Sequence, residues 1–256
     1  LPFAAVLMFS VAAVTTAWAQ EKSKAADPLT AYSQGDFATA EKSWRETLTA
    51  APTDWIARHN LSLTLAQQDR AGEAAAQAAA AFVQSPRNPS VHWHLGPAFQ
   101  KAGFSPAPLA SFVQPGPVQE SAAYASPAEW QRALVLAAVL MAVAFALWLL
   151  RAYGWKSALV HPSAITLLTL SVLLAVAAFL GQRAYGLTAD ARAVIAWRTG
   201  TLRSIPTEAD TTQKTTALPA GSVALAEKTF LGWIRLTFEN GQTGWVRKED
   251  VVPLWR

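Results

Sequence analysis

The residues best suited to chemistry are few and scattered. The four histidines are His59, His92, His94 and His161. His92-Trp93-His94 has the look of a metal pair, but on a helix residues two apart face different sides, and no third ligand stands near in sequence. The triplet therefore predicts packed or solvated imidazoles. The chain contains no cysteine, which removes a thiol nucleophile, a disulfide frame and cysteine metal sites. Glu249-Asp250 are adjacent carboxylates beside Lys248, as in a solvated turn. No G-x-S-x-G, H-E-x-x-H or G-x-x-x-x-G-K-[ST] motif occurs. These residues predict no catalytic, cofactor-binding or metal site, and an envelope hydrolase finds no positive support. The expected role is non-enzymatic.

Composition points to a membrane. The 256 residues are 52% hydrophobic and 15% charged, against about a quarter charged in ordinary soluble domains. The excess is local. Residues 133–150 and 164–181 are two 18-residue runs without a charge, close to the length that crosses a hydrocarbon core of about 30 Å. They predict transmembrane helices over 130–151 and 163–183. Neither run holds an ionisable residue, so both read as anchors rather than a transport path. Trp130, Trp148, Tyr153, Trp155 and Tyr185 fall near their ends, where amphipathic rings favour the interface. A third apolar stretch, 1–19, ends Ala17-Trp18-Ala19 and reads as a secretory signal. Export of residues 20–130 would leave 152–162, which follows Arg151 and carries Lys156, as a cytoplasmic loop. The residues on either side of the hairpin would then both lie outside the inner membrane. Net charge is +4, and no segment carries the basic stripe that nucleic acid requires.

Within 20–104 the chain repeats. Ala40 and Ala74, Pro52 and Pro86, and Leu61 and Leu95 are each 34 residues apart. A small residue lets helices cross closely, and a proline ends a helix because its ring breaks the hydrogen-bond ladder. Asp27-Pro28 offers a cap followed by a first-turn proline. This pattern resembles the tetratricopeptide repeat, with two repeats and a capping helix. Ala71 and Ala78 stand where that pattern usually has an aromatic. The resemblance implies a concave peptide-binding face carrying Tyr32, Ile56, His59, Leu63, Gln67, Trp93 and Gln100. Residues 105–129 contain Pro106, Pro108, Pro115, Pro117 and Pro127 and predict an extended spacer.

The tail, 188–256, alternates like short strands over 193–197, 199–206, 221–228 and 232–252, five strands in all. Asn240-Gly241 predicts a type I′ hairpin, and Gly244 a close approach of another strand. The strings Leu202-Arg203-Ser204-x-Pro206, Gly232-Trp233 and Asn240-Gly241-x-x-Gly244-Trp245-Val246 resemble the bacterial SH3 domain. In that family Trp233 and Trp245 would be mainly core. The expected architecture is thus a multidomain membrane protein: all-α repeat hairpins, two transmembrane helices and an all-β SH3-like barrel. This order of modules resembles the BatE-like proteins of the Bat aerotolerance operon. The resemblance implies a scaffold for envelope proteins, among them von Willebrand A-domain membrane proteins and a MoxR-type ATPase system. The rival reading is a cell-wall sensor or tether whose SH3-like domain binds peptidoglycan.

Overall fold

The computed structural model describes residues 27–154, 159–210 and 212–255; the expected signal, 1–19, lies outside them, as does Trp155. Five helices come first: α1 (Pro28–Ser33), α2 (Phe37–Ala50), α3 (Trp55–Gln67), α4 (Ala71–Gln84) and α5 (Pro89–Ala102). Local chemistry sets their starts. The side chains of Asp36, Asp54 and Asn88 each accept from first-turn amides, satisfying donors a helix leaves unpaired. Asp27 behaves differently: Pro28 does begin α1, but the Asp27 carboxylate accepts the Thr30 hydroxyl at 2.9 Å rather than a backbone N–H. Gly103 closes α5 at φ 72°, a conformation glycine adopts without strain.

The 34-residue period reappears as packing. Ala40 and Ala74 are both buried, and so are Leu61 and Leu95. Helices one period apart lie side by side: Lys101 Nζ donates to the Ala66 carbonyl at 2.8 Å, and Ser62 meets His94 at 3.0 Å. An ion network ties α2 to the start of α4. Glu41 accepts from Arg45 at 2.8 Å, from Arg70 at 2.7 Å and from Gln68 at 3.0 Å, while Glu73 accepts from both arginines. Burial pushes the Glu41 carboxyl up, but the bonds from Arg45, Arg70 and Gln68 outweigh it and hold the group below its ordinary value.

The expected extended spacer is not extended. It folds into α6 (Ala107–Val113) and α7 (Pro117–Ala122). Pro108 and Pro117 fall in the first turn of each, where the missing N–H has no intrahelical partner to lose. Pro127 likewise opens α8 (Pro127–Ala152), whose start is a capping box between Ser126 and Glu129. These prolines start helices; they do not prevent them.

Helices α8 and α9 (Val160–Ala184) pack on each other and are long and apolar enough to cross a membrane. Their buried positions are small: Ala137 and Ala144 on one, Ala164, Ser171, Ala178 and Gly181 on the other. Most of these recur every seven residues, the spacing of a closely packed helical seam. Their large apolar side chains, such as Val139, Phe145, Leu173 and Phe179, face outward. Trp130 lies across Gly181, where an added Cβ would come within 2.4 Å of the indole.

The tail forms one antiparallel sheet in the order β3-β2-β6-β5-β4-β1-β7. Its strands are β1 (Ala193–Ala196), β2 (Gly200–Arg203), β3 (Thr215–Leu218), β4 (Val223–Phe230), β5 (Trp233–Thr237), β6 (Thr243–Arg247) and β7 (Val251–Pro253). Two exceed the five expected. β3 emerges from a polar run because it pairs with β2 from Gly200 to Arg203, and β7 is separated from β6 by a 3-10 turn, Lys248–Asp250. The predicted type I′ turn at Asn240-Gly241 is also corrected. Gly241 has φ 79°, Asn240 does not have positive φ, and Gly241 N–H donates to the Phe238 carbonyl at 3.0 Å. That geometry is a turn followed by a left-handed glycine, the three-residue hairpin. The two-residue loop with positive φ at both positions is Leu231-Gly232, between the paired Phe230 and Trp233. Gly244 does permit a close approach: a Cβ there would lie 2.3 Å from Leu202 Cγ. Trp233 is buried beneath the Arg247 guanidinium, and Trp245 is half-buried.

The helical part and the sheet share a core. Phe82 of α4, Phe112 of α6, Tyr185 after α9, Ile195 of β1 and Leu254 after β7 are all fully buried in one cluster. Tyr185, expected at the membrane interface, instead stacks on Phe112 at 4.7 Å and donates to the Ala125 carbonyl at 3.1 Å. Between its neighbours, α4 is buried for eleven consecutive residues, Glu73 to Val83. It packs on α3 and α5, and it also touches β7. Gln84 donates to the Leu254 carbonyl at 2.7 Å, and the Trp197 carbonyl would meet a Cβ on Gly72 at 2.4 Å. A helix covered on all sides needs small side chains, which accounts for alanine at position 78. The repeat helices and the sheet therefore sit at the same end of the α8–α9 hairpin.

Candidate functional site

The surface expected to bind peptides lies on α3 and α5. Ile56, His59, Leu63 and Gln67 follow one stripe of α3, by their spacing of three and four residues. Trp93 and Gln100 follow one stripe of α5. The two helices meet through His59 and His94, whose rings are 5.4 Å apart and perpendicular. On this surface Ile56 and Trp93 stand out to solvent, at 50% and 77% exposure; Gln67 and Gln100 are exposed, and His59 and Leu63 are half-buried. Tyr32 is set apart. It packs on the core of α1–α4 and meets Phe37 edge-on at 5.4 Å.

Two features were missed in the sequence. Pro97 sits inside α5. A proline there has no N–H for the carbonyl four residues earlier, which belongs to Trp93, so a backbone acceptor is freed beside an exposed indole. The second is α6. With α5 it walls a groove of about 460 Å³ lined by Gly96, Phe99, Gln100, Phe104 and Val113. The internal proline was legible in the sequence; the second wall was hidden because its segment reads as extended.

No family model, curated protein or solved structure matches the chain. Function therefore rests on the side chains themselves.

The histidines point apart as expected: His92 meets Phe82 edge-on at 5.6 Å, while His94 turns to α3. Among the described residues no three metal-ligating groups converge. The tautomer of His94 is set by its neighbours. The single Ser62 hydroxyl hydrogen goes to the Ala74 carbonyl at 2.7 Å, so His94 Nε2–H must donate to Ser62 Oγ. Burial, then the charge of His59, push the His94 pKa down to about 4; burial also lowers that of His59. Lys101 bonds Ala66, Arg58 bonds Pro52 and Gln77, and Glu73 bonds Arg45 and Arg70.

These shifts make the fold acid-sensitive. For His94 the folded pKa lies below the unfolded one of about 6.5, so the unfolded chain binds more protons between those values. Stability is then complete above about pH 6.5 and falls as pH drops toward 4. After discounting for the half-exposed site, the expected loss between pH 7 and 5 is about 1 kcal/mol. Thermal midpoints across that range would check it, and His94→Asn should flatten the slope.

Proposed function

We propose that the protein is a non-enzymatic, membrane-anchored scaffold that captures an extended segment of another envelope protein on the α3–α5 surface. The observation that carries this reading is Trp93. A tryptophan exposed to 77% and fixed on a helix, with Ile56 exposed on the neighbouring α3, has the character of an interface hot spot. The 34-residue period supports a tetratricopeptide-like array, and such stacked helix pairs form binding surfaces. The tail strings support an SH3-like module. In this reading the α8–α9 hairpin spans the bacterial inner membrane, and both attached parts face the periplasm. The resemblance to BatE-like proteins points to von Willebrand A-domain membrane proteins and a MoxR-type ATPase system as the assembly served.

The test uses the full chain in its native membrane. A photo-crosslinker at Ile56 should capture a specific envelope protein, and Trp93→Ala should weaken that capture about tenfold. A crosslinker that captures nothing, or capture indifferent to Trp93, rejects the reading. Reporter fusions after Ser105 and Arg256 test the topology; signals on opposite sides of the membrane would contradict it.

A further inference from the structure

A second surface lies on the sheet, away from the helices. Strand β4 pairs with β1 as far as Leu225, and the Ala226 N–H still reaches the Arg192 carbonyl at 2.9 Å. The register then shifts between Ala226 and Lys228. Such a bulge bends a strand away from its neighbour. Beyond it, β4 runs to Phe230 with β5 on one side and no strand on the other among the described residues. In an antiparallel ladder alternate residues bond to opposite sides. Lys228 and Phe230 bond toward β5, so the N–H and C=O of Thr229 point to the vacant side.

A cleft of about 420 Å³ opens on that side between β1, β4 and β7. Its floor is apolar, formed by Val194, Ile234 and Val251, which also belong to the core of the sheet. Lys228 and Lys248 stand at its rim. Neither has an ion-pair partner among the described residues, whereas Arg192 is held by Asp190 at 2.9 Å and Glu227 faces Arg235 at 3.6 Å. The uncompensated charge around the cleft is therefore positive. At the end of the arm, Leu231 is 82% exposed and has φ 43°. A branched side chain in the left-handed region costs about 1 kcal/mol, and the folded chain gains no packing from it.

We propose that this cleft receives an extended, acidic segment of a partner protein, added as a strand along the free edge of β4. The edge supplies backbone pairing to Thr229, as in strand-addition complexes. The floor takes apolar side chains from one face of the added strand, and Lys228 and Lys248 take its carboxylates. Phe230 and Leu231 gain apolar cover from the same partner. This surface is separate from the Trp93 surface, so either assignment can fail alone.

The experiment uses the full chain in nanodiscs and a fluorescent hexapeptide of alternating valine and glutamate. Its controls are a valine–lysine peptide and the acidic peptide with a central proline, which cannot donate to the edge. The acidic probe should bind about tenfold more tightly than the lysine probe, as two rim ion pairs would give, and should slow hydrogen exchange at the Thr229 amide. The proline probe should lose that protection. Lys228→Glu with Lys248→Glu, both at exposed rim positions, should reverse the preference and leave the fold intact. The proposal is overturned by absence of peptide binding, by equal binding of the two charges, or by binding that survives the charge reversal. Protection of Thr229 by purified peptidoglycan instead of peptide, or by protein concentration alone, would assign the edge to the cell wall or to a second copy and equally overturn it.

Discussion

Replacing Phe82 with alanine should destabilise the repeat helices and the sheet together, by about 4 kcal/mol. The ring has no exposed surface. It lies 5.3 Å from Phe112, 6.4 Å from Tyr185 and 5.6 Å from His92. Those three side chains come from α6, from the end of α9 and from α5. Removing the ring leaves a cavity that α4 cannot close, because that helix is already pressed between α3, α5 and β7. Hydrogen exchange in detergent distinguishes a shared core from strung modules. Amides of Leu61 in α3 and Leu236 in β5 should both exchange faster in Phe82→Ala. If only Leu61 responds, the two parts fold independently and the shared core contributes little.

The second large effect is expected at Gly181. Its Cα is covered by the Trp130 indole, and the nearest ring atoms would stand 2.4 to 2.7 Å from a Cβ. That ring is itself held, with Nε1 donating to the Ala122 carbonyl at 3.0 Å. Gly181→Leu must push the indole off the seam and break this bond, at a cost of about 3 kcal/mol. Thermal unfolding in detergent measures it. Trp130→Ala removes the obstacle, so the double variant should recover part of the loss, giving a coupling energy of about 1 kcal/mol or more. Additive losses would show that the crowding at Gly181 is relieved some other way. Because Trp130 also touches α7 through Ala122, the Gly181 contact joins the α8–α9 hairpin to α7.

The proposed scaffold depends on this rigidity. Trp93 and Ile56 can present a fixed surface only if α3 and α5 are held, and they are held from behind by α4. That helix in turn packs against the sheet and touches the start of α8. The result is a single body at one end of two membrane-length helices, carrying two separate candidate docking surfaces.

Much was legible from residue type and spacing alone. The 34-residue period marked helices that recur with equivalent burial, because side chains one repeat apart meet equivalent neighbours. Asp27-Pro28 marked the start of α1 through its proline, since Pro28 fits the first turn whatever packs around it. The two uncharged runs marked helices of membrane length. The residues Ile56, His59, Leu63 and Gln67 came from the resemblance to the tetratricopeptide repeat, and in the fold they follow one stripe of α3. Tertiary structure decided the rest. Nothing local distinguishes prolines that open helices from prolines in an extended linker; α6 is revealed by the burial of Leu109 and Phe112 against distant partners. Tyr185 reads as interfacial by its place after an apolar run, and becomes core because Phe112 and the Ala125 carbonyl lie within reach. The left-handed hairpin fell at Leu231-Gly232 rather than Asn240-Gly241 because strand register, set by pairing across β4, β5 and β6, outweighs the intrinsic preference of a dipeptide. Local signals report what a segment can form, whereas contacts between segments far apart in the chain determine which of those options is occupied.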